Sequence, residues 1–550
     1  MEKISFKEIF LPKTFTVFKE GYSKEQFKND LLSGVIVGII SLPLAIAFAI
    51  ASGVSPEKGL ITAVVAGFFV SFLGGSRVTI GGPTGAFVVI IVGIVEKYGI
   101  EGLIISTVLA GFFMILFGLL QLGTLIKFIP QPLIVGFTSG IALIIFTSQI
   151  KDFFGLPIDH LPSSFIDKWK LYFHQFDQIN LWAFGIAAFT VILSLYFKKI
   201  TRHIPGSIIA ILITTLLISI LQIPVSTIGS VTAGIPQKLS FSFSNIDLGS
   251  FHNYIQPAFT IAMLGAIESL LCAVIADGMI GSNHRSNTEL IGQGIANVFS
   301  GLLGGIPATG AIARTAANVK LGGRTPVAGM IHALTLLLIL LFLGKYAVLI
   351  PMSCLAGILV VIAYNMSEWR SFVSILKGSR YDVIVLLVTF FLTVFFDLTL
   401  AIQVGVILAA FLFMQRMSKL SEIYALEREG DSLENYSDLP KAISIYEING
   451  PFFFGAANKY KEVLKELGLK ANILILRMRH VPFIDTTGIQ NFYSVLSEMK
   501  SRKVRIVLSG VNHEVRKEIE RSPIAEMLGQ KNICSNFDEA KKRALEIYNS

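Results

Sequence analysis

Two short stretches rich in glycine and proline decide how this chain folds: Gly81-Gly82-Pro83-Thr84-Gly85-Ala86 and Gly304-Gly305-Ile306-Pro307-Ala308-Thr309-Gly310-Ala311. Each interrupts hydrophobic sequence where a continuous membrane helix would otherwise be expected. Proline and glycine end one helix and let a short half-helix begin. The free N–H groups and positive dipole at the start of such a half-helix suit an anion. A matched pair of interrupted segments indicates the substrate site of a transporter built from inverted repeats.

The composition indicates a membrane protein. Of the 550 residues, 53% are hydrophobic and 15% are charged, and the mean hydropathy is +0.68. Soluble domains carry charge on about a quarter of their residues. We therefore expect an α-helical polytopic membrane protein, with hydrophobic runs close to the roughly 20 residues that span a bilayer. These runs are Leu31–Ala51, Ile104–Leu122, Trp182–Phe197, Ile208–Ile223, Pro257–Ala276, Val327–Leu343 and Val383–Phe413.

The placement of basic residues predicts the orientation. The formal net charge is +9, but in a chain this apolar it indicates membrane edges and not a nucleic-acid partner. Basic residues fall in alternate short loops, which we expect to be cytoplasmic together with both termini. An even number of spans follows, about fourteen, in two repeats of about seven, and an odd number per repeat makes the repeats inverted. The loop residues are Arg77, Lys198, Lys199, Arg202, Arg285, Lys320, Arg324, Arg370, Lys377 and Arg380.

Four regions follow from the change in polarity along the chain. Residues 1–29 form a cytoplasmic N-terminal segment, and residues 30–417 form the transmembrane domain. A polar linker covers 418–439, and an α/β module covers 440–550. The repeats are expected at about Asp30–Leu221 and Tyr254–Met414, with Pro83 and Pro307 near the middle of the bilayer.

The C-terminal module shows alternating strand and helix patterns. The loop His480–Gly488 joins a strand to a helix, and neither a glycine-rich phosphate loop nor a catalytic triad is visible. We interpret the module as regulatory or structural. The predicted strands are Ala442–Tyr446, Asn472–Met478 and Lys503–Leu508, and the predicted helices are Ala456–Leu467, Gly488–Met499 and Asp538–Ile547.

Glu268 lies in the apolar stretch Phe259–Ile275. An ionisable group there costs about 3 kcal/mol, so it should face a cavity or a partner. Glu268 is a candidate proton carrier, and the alternative is a carboxylate that ties two helices together. Asp277 falls on the opposite helix face and is expected at the interface, while Asp397 between two apolar segments is expected to mark a tight hairpin.

Arg314 follows the second glycine–proline stretch closely. A fixed guanidinium near two helix N-termini could bind an oxyanion in bidentate fashion. The alternative is a structural arginine.

Pro43 in the first span would kink that helix so that Phe48 lines the cavity. The alternative is a lipid-packed kinked helix. Three distant cysteines, Cys272, Cys354 and Cys534, form no metal-ligand spacing, so we expect neither a metal nor a cofactor.

These motifs together resemble the SulP anion permease family with a C-terminal STAS domain, over almost the whole chain. The motifs are Asp30–Gly34 leading into Pro43, Gly81–Ala86, Glu268–Asp277, Gly304–Arg314, Gly322–Thr325 and Asp485–Gly488.

The resemblance implies fourteen membrane segments divided into a core and a gate domain, usually as homodimers. It places the anion between the third and tenth segments and implies an elevator-like movement of the core. The implied anion site is the backbone of Thr84, Gly85 and Ala86 and of Ile312, Ala313 and Arg314, with Phe48 lining the pocket. Glu268 matches the acidic position that is tied to cation coupling.

The chain also departs from part of this pattern. Sodium-coupled bicarbonate members have Asp at the position of Glu268 and Thr at that of Cys272, which disfavours sodium here. Ala308–Asn318 and Tyr364–Glu368 more closely resemble bacterial members that take C4-dicarboxylates with protons. Thr486 stands where related anti-anti-sigma proteins have a phosphorylatable serine, so it is a candidate regulatory residue.

The predicted function is proton-coupled secondary active transport of a small anion across the bacterial cytoplasmic membrane. Sulfate, bicarbonate and C4-dicarboxylates stay open as substrates, and the expected partners are protons, lipid, a second copy and a cytoplasmic protein bound to the module. The alternatives are an uncoupled channel or exchanger and a signalling scaffold. A membrane enzyme is disfavoured because the sequence shows no nucleophile, metal cluster or nucleotide loop.

Overall fold

The computed structural model describes residues 10–124, 129–158, 161–162, 164–197, 206–231, 252–396, 398–419, 422–425, 439–440, 442–455 and 472–550. The chain divides into two compact units, Met1–Val406 and Ile407–Ser550. Two predicted features, the hairpin at Asp397 and the helix Ala456–Leu467, lie outside the described residues.

Helices account for most of the first unit, in keeping with its apolar sequence. Pro43 lies within the helix Lys24–Ala51, and Gly99 interrupts the helix Val88–Leu119 with a non-helical backbone conformation. In chain order the helices are α1 (Lys13–Glu20), α2 (Lys24–Ala51), α3 (Pro56–Leu73), α4 (Val88–Leu119), α5 (Gln131–Phe154), α6 (Phe165–Gln175), α7 (Leu181–Tyr196), α8 (Gly206–Leu221), α9 (Ile228–Val231), α10 (His252–Ile280), α11 (Ser286–Leu302), α12 (Ile312–Lys320), α13 (Pro326–Leu343), α14 (Met352–Met366), α15 (Trp369–Leu376), α16 (Arg380–Phe395) and α17 (Leu398–Lys419).

Among the described residues, seven helices are long and apolar enough to cross a membrane. The number is eight if Phe165–Gln178 and Leu181–Tyr196, which meet at 116°, are counted as one broken span. The total of about fourteen therefore stays a prediction. The run Val383–Phe413 divides into two helices, α16 and α17, and α3, α5 and α14 are additional apolar helices that the hydrophobic runs did not include.

The helices of the first unit form two bundles. We call the first the core bundle, since α2, α3, α4, α10, α11, α12 and α13 pack against one another. The second, here called the gate bundle, contains α5, α7, α8, α14 and α16, in which α5 packs on α14 and α16 while α14 also packs on α7. This division agrees with the core and gate domains that the resemblance implies.

Helix contacts in the core bundle follow an internal two-fold pattern. Helices α10 and α11 pack against α4 from the first half of the chain, and α2 and α3 pack in the same way against α13 from the second half. Each half of the chain thus contributes two helices that pack against one helix of the other half. This reciprocal packing is the arrangement expected of inverted repeats.

At the centre of the core bundle the two glycine–proline stretches pair with each other. Strand β1 (Gly81–Gly82) pairs antiparallel with β2 (Thr309–Gly310), with Gly81 opposite Gly310 and Gly82 opposite Thr309. A short 3₁₀ helix (Gly85–Phe87) and then α4 follow β1, and α12 follows β2. Because the strands are antiparallel, the two helices leave the crossing in opposite directions. The prediction that a helix begins at each break is confirmed.

Side chains of α11 fix the loop that leads into β2. The carbonyl oxygen of Ala308 accepts hydrogen bonds from the side-chain amides of Gln293 (2.8 Å) and Asn297 (2.9 Å). The Ala308 N–H donates to Asn297 Oδ1 at 2.8 Å. On α3, Thr62 Oγ1 accepts from the Ile306 N–H at 2.7 Å. With its buried backbone groups satisfied in this way, the loop has little freedom to slide along β1.

The motif around Asp30 contacts the motif around Gly322–Thr325. Asp30 Oδ1 accepts from the backbone N–H groups of Arg324 (2.9 Å) and Thr325 (3.3 Å), and its other carboxylate oxygen accepts from the Thr325 hydroxyl. Ser33 Oγ donates to Asn318 Oδ1 at 2.7 Å. The start of α2 is therefore fixed to the turn between α12 and α13.

The second unit holds a four-stranded sheet in the order β3-β4-β5-β6. Strand β3 runs antiparallel to β4, whereas β4, β5 and β6 are parallel. The elements are β3 (Glu422–Ala425), β4 (Ile443–Asn449), β5 (Ile473–His480), β6 (Arg505–Ser509), α18 (Thr486–Ser501), α19 (His513–Glu520), α20 (Pro523–Leu528) and α21 (Phe537–Tyr548).

The described strands and helices predicted for this unit are confirmed to within a few residues. Strand β3 was not predicted, and it lies within the expected linker 418–439, where it pairs with β4. Asp485 caps α18 by accepting from the Gly488 N–H at 2.6 Å, and its second oxygen accepts from the Phe454 N–H at 3.0 Å. Thr486 is exposed at the first turn of α18.

Gly82 should tolerate no side chain. Its φ is +154°, and a Cβ atom there would overlap the guanidinium group of Arg314. We expect Gly82→Ala to lower the free energy of unfolding by about 1–3 kcal/mol, as overpacking usually does. The measurement is thermal unfolding of the purified chain in detergent.

The matched control is Gly93→Ala in α4, where a Cβ atom would meet no heavy atom within 4 Å. Alanine should raise helix stability at that position by up to about 1 kcal/mol. Equal melting temperatures for the two variants would contradict the packing described at the crossing.

Candidate functional site

The two helices that leave the crossing begin without a side-chain cap. Thr84 precedes the 3₁₀ helix Gly85–Phe87 in an extended conformation, and no side-chain hydrogen bond caps that helix. Ala311 precedes α12, and it has no side chain that could cap. The first N–H groups of a helix have no partner within the helix itself. Both starts therefore present backbone donors and the positive end of a helix dipole to the same region.

Gly85 lies where the core bundle meets the gate bundle. A Cβ atom there would come within 3.2 Å of Phe48 Cε1 on α2, 3.2 Å of Ile145 Cδ1 on α5 and 2.8 Å of Met366 Sδ on α14. Phe48 is 6% exposed. The structure thus brings the predicted lining residue Phe48 to the predicted backbone segment, and Gly85 permits this close approach.

Consecutive residues at the start of α12 face different surroundings. Ile312 is 38% exposed and Ala313 is also exposed, whereas Arg314 is 2% exposed. The side chain of Arg314 points back into the core bundle, beside β1. The predicted set Ile312, Ala313 and Arg314 therefore divides into two exposed residues and one buried cation.

The contacts of Arg314 fix its guanidinium group against the first interrupted segment. Nη2 donates to the carbonyl oxygen of Pro83 at 2.9 Å. Nη1 is buried and has no hydrogen-bond partner within the described part of the chain. An arginine buried without a counter-charge is costly, and here it supplies a fixed positive charge close to both helix starts.

Glu268 contacts the first helix start and not Arg314. Thr84 Oγ1 donates to Glu268 Oε2 at 3.3 Å. Across the described ranges, no ion pair joins Glu268 to Arg314. The candidate proton carrier and the candidate anion ligand thus contact adjacent residues of the first interrupted segment, Thr84 and Pro83.

Helix α10 contacts β2 directly and, through Thr315, the residue before β1; of the side chains involved, the sequence analysis singled out only Cys272. Ser269 Oγ accepts from the Gly310 N–H at 3.2 Å. Cys272 Sγ donates to Thr315 Oγ1 at 3.3 Å, and the same hydroxyl accepts from the Ile80 N–H at 3.0 Å. The sequence feature that could have identified the residues of α10 is the presence of small polar side chains, Ser269 and Cys272, within one turn of Glu268.

A second buried polar residue was also missed, His332 on α13. Its Nε2 hydrogen bonds to Ser41 Oγ at 2.9 Å, and its Nδ1 lies 3.2 Å from where a Gly67 Cβ would stand. The signal was a lone histidine within the apolar run Val327–Leu343. Ser41 donates to the carbonyl oxygen of Val37 at 2.7 Å, and α2 continues through Pro43 to Ala51.

Asp277 lies apart from the site, as predicted. Its carboxylate accepts from Ser282 Oγ (2.7 Å) and from the His284 N–H (2.7 Å), which closes the turn after α10. In the part of the chain that the structure describes, no cluster of three or more His, Cys, Asp or Glu could hold a metal ion.

Comparison with known proteins assigns the two units. Residues 27–389 match the sulfate permease family, and residues 438–540 match the STAS domain. The putative sulfate transporter YvdB of Bacillus subtilis is 39% identical over 524 residues, which cover 94% of this chain and 98% of that protein. The bicarbonate transporter BicA of a Picosynechococcus species is 30% identical over 561 residues, covering 96% and 97%.

Solved structures show the same fold. The overall structure of SLC26A9 has a TM-score of 0.87 at 20% identity and covers 98% of this chain and 93% of that one. The transmembrane domain of the cyanobacterial bicarbonate transporter BicA has a TM-score of 0.62 at 31% identity and covers 70% and 98%. The chain therefore belongs to the sulfate permease family of membrane transporters and carries a STAS domain at its C-terminal end.

Proposed function

We propose that this protein is a secondary active transporter that moves a small anion across the cytoplasmic membrane of a bacterium. The observation that carries the proposal is the convergence of two uncapped helix starts and one buried guanidinium at the β1–β2 crossing. Backbone N–H groups, aligned dipoles and a fixed cation together favour an anion over a neutral or cationic substrate. Since the family is one of transporters, transport is favoured over enzymatic catalysis.

The proposed anion site is formed by two backbone segments and one aromatic wall. The segments are Thr84–Ala86 and Ile312–Arg314, and Phe48 forms the wall. Arg314 Nη2 donates to Pro83, whereas Nη1 has no partner among the described residues, so we propose Nη1 as a donor to the anion. One guanidinium nitrogen together with several backbone donors suits a small oxyanion or a carboxylate.

Sulfate, bicarbonate and a C4-dicarboxylate are the candidate substrates. YvdB is named a putative sulfate transporter and BicA a bicarbonate transporter, and both align over nearly their whole length. Cys272 donates to Thr315 within the crossing, and a thiol is a poor ligand for sodium. This favours protons as the coupling ion.

Glu268 is the proposed proton carrier. Its contact with Thr84 joins the carboxyl group to the segment that binds the anion. Protonation would remove the negative charge of Glu268 beside the anion, so loading of the proton and loading of the anion would favour each other.

Transport would proceed by movement of the core bundle against the gate bundle. The anion segments belong to the core bundle, and Gly85 packs tightly on Ile145 and Met366 of the gate bundle. Because glycine has no side chain, the core bundle presents a flat surface at this contact, along which the gate bundle can slide.

We further propose that both termini are cytoplasmic, that the protein is a homodimer, and that a cytoplasmic partner binds the STAS domain near Thr486.

Replacement of Arg314 tests the anion site. Arg314→Ala removes the fixed cation, and the affinity for the transported anion should fall at least about tenfold, the usual scale for hydrogen bonds to a charged group. Arg314→Lys should restore affinity only in part, because lysine lacks the planar fork. The measurement is equilibrium binding of radiolabelled sulfate, bicarbonate and succinate to the purified chain.

The matched control is Lys320→Ala, which removes an exposed basic residue from the same helix. It should leave binding unchanged. Wild-type affinity in the Arg314→Ala variant would exclude Arg314 as a ligand.

Replacement of Glu268 tests coupling. Wild-type protein in proteoliposomes should accumulate the anion under an imposed inward proton gradient, without sodium. Glu268→Gln mimics the protonated carboxyl group, so it should retain anion exchange and lose accumulation driven by protons. The control Glu101→Gln changes an exposed residue of α4.

A sodium gradient that drives uptake independently of pH would overturn the assignment of Glu268 and favour sodium coupling. Anion flux that no ion gradient can drive uphill would favour the exchanger or channel alternative.

A further inference from the structure

The gate bundle contains an apolar crevice that plays no part in the proposed anion site. Its volume is about 550 Å³, within the range of sites that hold small molecules. Several of its lining side chains are exposed, among them Phe146, Tyr364 and Val373, so the crevice opens to the surface of the bundle. Helices α5, α7, α14, α15 and α16 contribute its walls.

The walls of the crevice are almost entirely apolar, and their polar side chains form hydrogen bonds within the protein. Ser139 Oγ donates to the carbonyl oxygen of Ser367 at 2.5 Å, and Ser367 Oγ donates to that of Tyr364 at 2.8 Å. Both serines are thus satisfied within the protein. The remaining surface includes Leu195 and Val361, and it suits a hydrocarbon chain better than a polar solute.

One end of the crevice carries the features of a membrane–water interface. Helix α15 (Trp369–Leu376) has no buried residue, as expected of a short helix lying along the bilayer surface. The Trp369 indole N–H donates to the Tyr364 hydroxyl at 3.2 Å. Tryptophan and tyrosine are enriched at the level of the lipid headgroups, so this pair places the end of the crevice at that level.

Three cations lie on α15 or close to its C-terminal end in the sequence. Arg370 lies against the Trp369 ring, with Cζ 5.5 Å from the ring centroid, Lys377 directly follows α15, and Arg380 is the first residue of α16. All three are exposed, and no ion pair holds any of them within the described ranges. Two acidic residues, Glu368 and Asp382, lie nearby in sequence, so the net charge of the five residues is still positive. Basic residues at a membrane surface attract anionic lipids.

We infer that this crevice binds an acyl chain of an anionic phospholipid, with the headgroup held by Arg370, Lys377 and Arg380. The apolar walls recognise the chain, and the basic end recognises the negative charge. The crevice and the three cations belong to the gate bundle and to α15 with the turn that follows it, so the inference does not depend on the proposed anion or its coupling ion.

Lipid retention tests the site. The full chain, purified in detergent, is exchanged into phosphatidylglycerol or phosphatidylcholine with identical acyl chains, and bound lipids are counted by native mass spectrometry. Wild-type protein should retain phosphatidylglycerol preferentially. The combined substitution R370Q, K377Q and R380Q should weaken phosphatidylglycerol retention at least about tenfold, since three surface cations are lost. Val361→Trp, which fills the crevice, should reduce retention of both lipids.

Each variant has a matched control. Leu212→Trp adds the same ring to an exposed position of α8 away from the crevice, and K517Q, R521Q and K531Q remove three exposed charges from the STAS domain. Both controls should behave as wild type. Equal retention by all variants would overturn the inference, and so would Val361→Trp converting a dimer to a monomer with unchanged lipid retention, because the crevice would then be a contact between copies.

Discussion

The site depends on the pairing of two very short strands from opposite halves of the chain. Gly81 and Gly82 pair with Gly310 and Thr309, and this pairing determines where each following helix begins. Backbone groups at the middle of a membrane protein must find partners inside the protein. Each strand supplies those partners for the other, and α11 supplies them for the loop before β2. The backbone N–H groups at the N-termini of the two following helices are left as hydrogen-bond donors, and both sets face the same region.

Two ionisable side chains, Arg314 and Glu268, contact the first interrupted segment. Arg314 is buried against the Pro83 carbonyl with one nitrogen unpaired, and Gly82 has no side chain that would displace it. Glu268 reaches the same segment from α10 through Thr84. The proposed cation for the substrate and the proposed carboxyl group for a proton thus contact adjacent residues of one interrupted segment without pairing with each other.

Much of this organisation could be predicted because the deciding residues act locally. Pro83 and Pro307 each have glycines close by, and this combination disfavours a continuous helix and permits the crossing, whereas Pro43, without glycine neighbours, lies within α2. The side-chain directions could not be predicted. Spacing places Arg314 two residues after the start of α12, but only the packed structure turns it toward Pro83 and away from the exposed Ile312 and Ala313. Strand β3 escaped prediction because its polar neighbourhood resembles a linker and its pairing with β4 is non-local.

The central claim is that an anion binds between the two helix starts. The most direct test is an electron cryomicroscopy structure of the full chain in lipid nanodiscs, with the anion identified by binding measurements present at saturation. We predict density for that anion within hydrogen-bond distance of backbone N–H groups in Thr84–Ala86 and Ile312–Arg314, next to Arg314 Nη1. Anion density elsewhere, or helix starts that lie apart at the membrane surface, would contradict it.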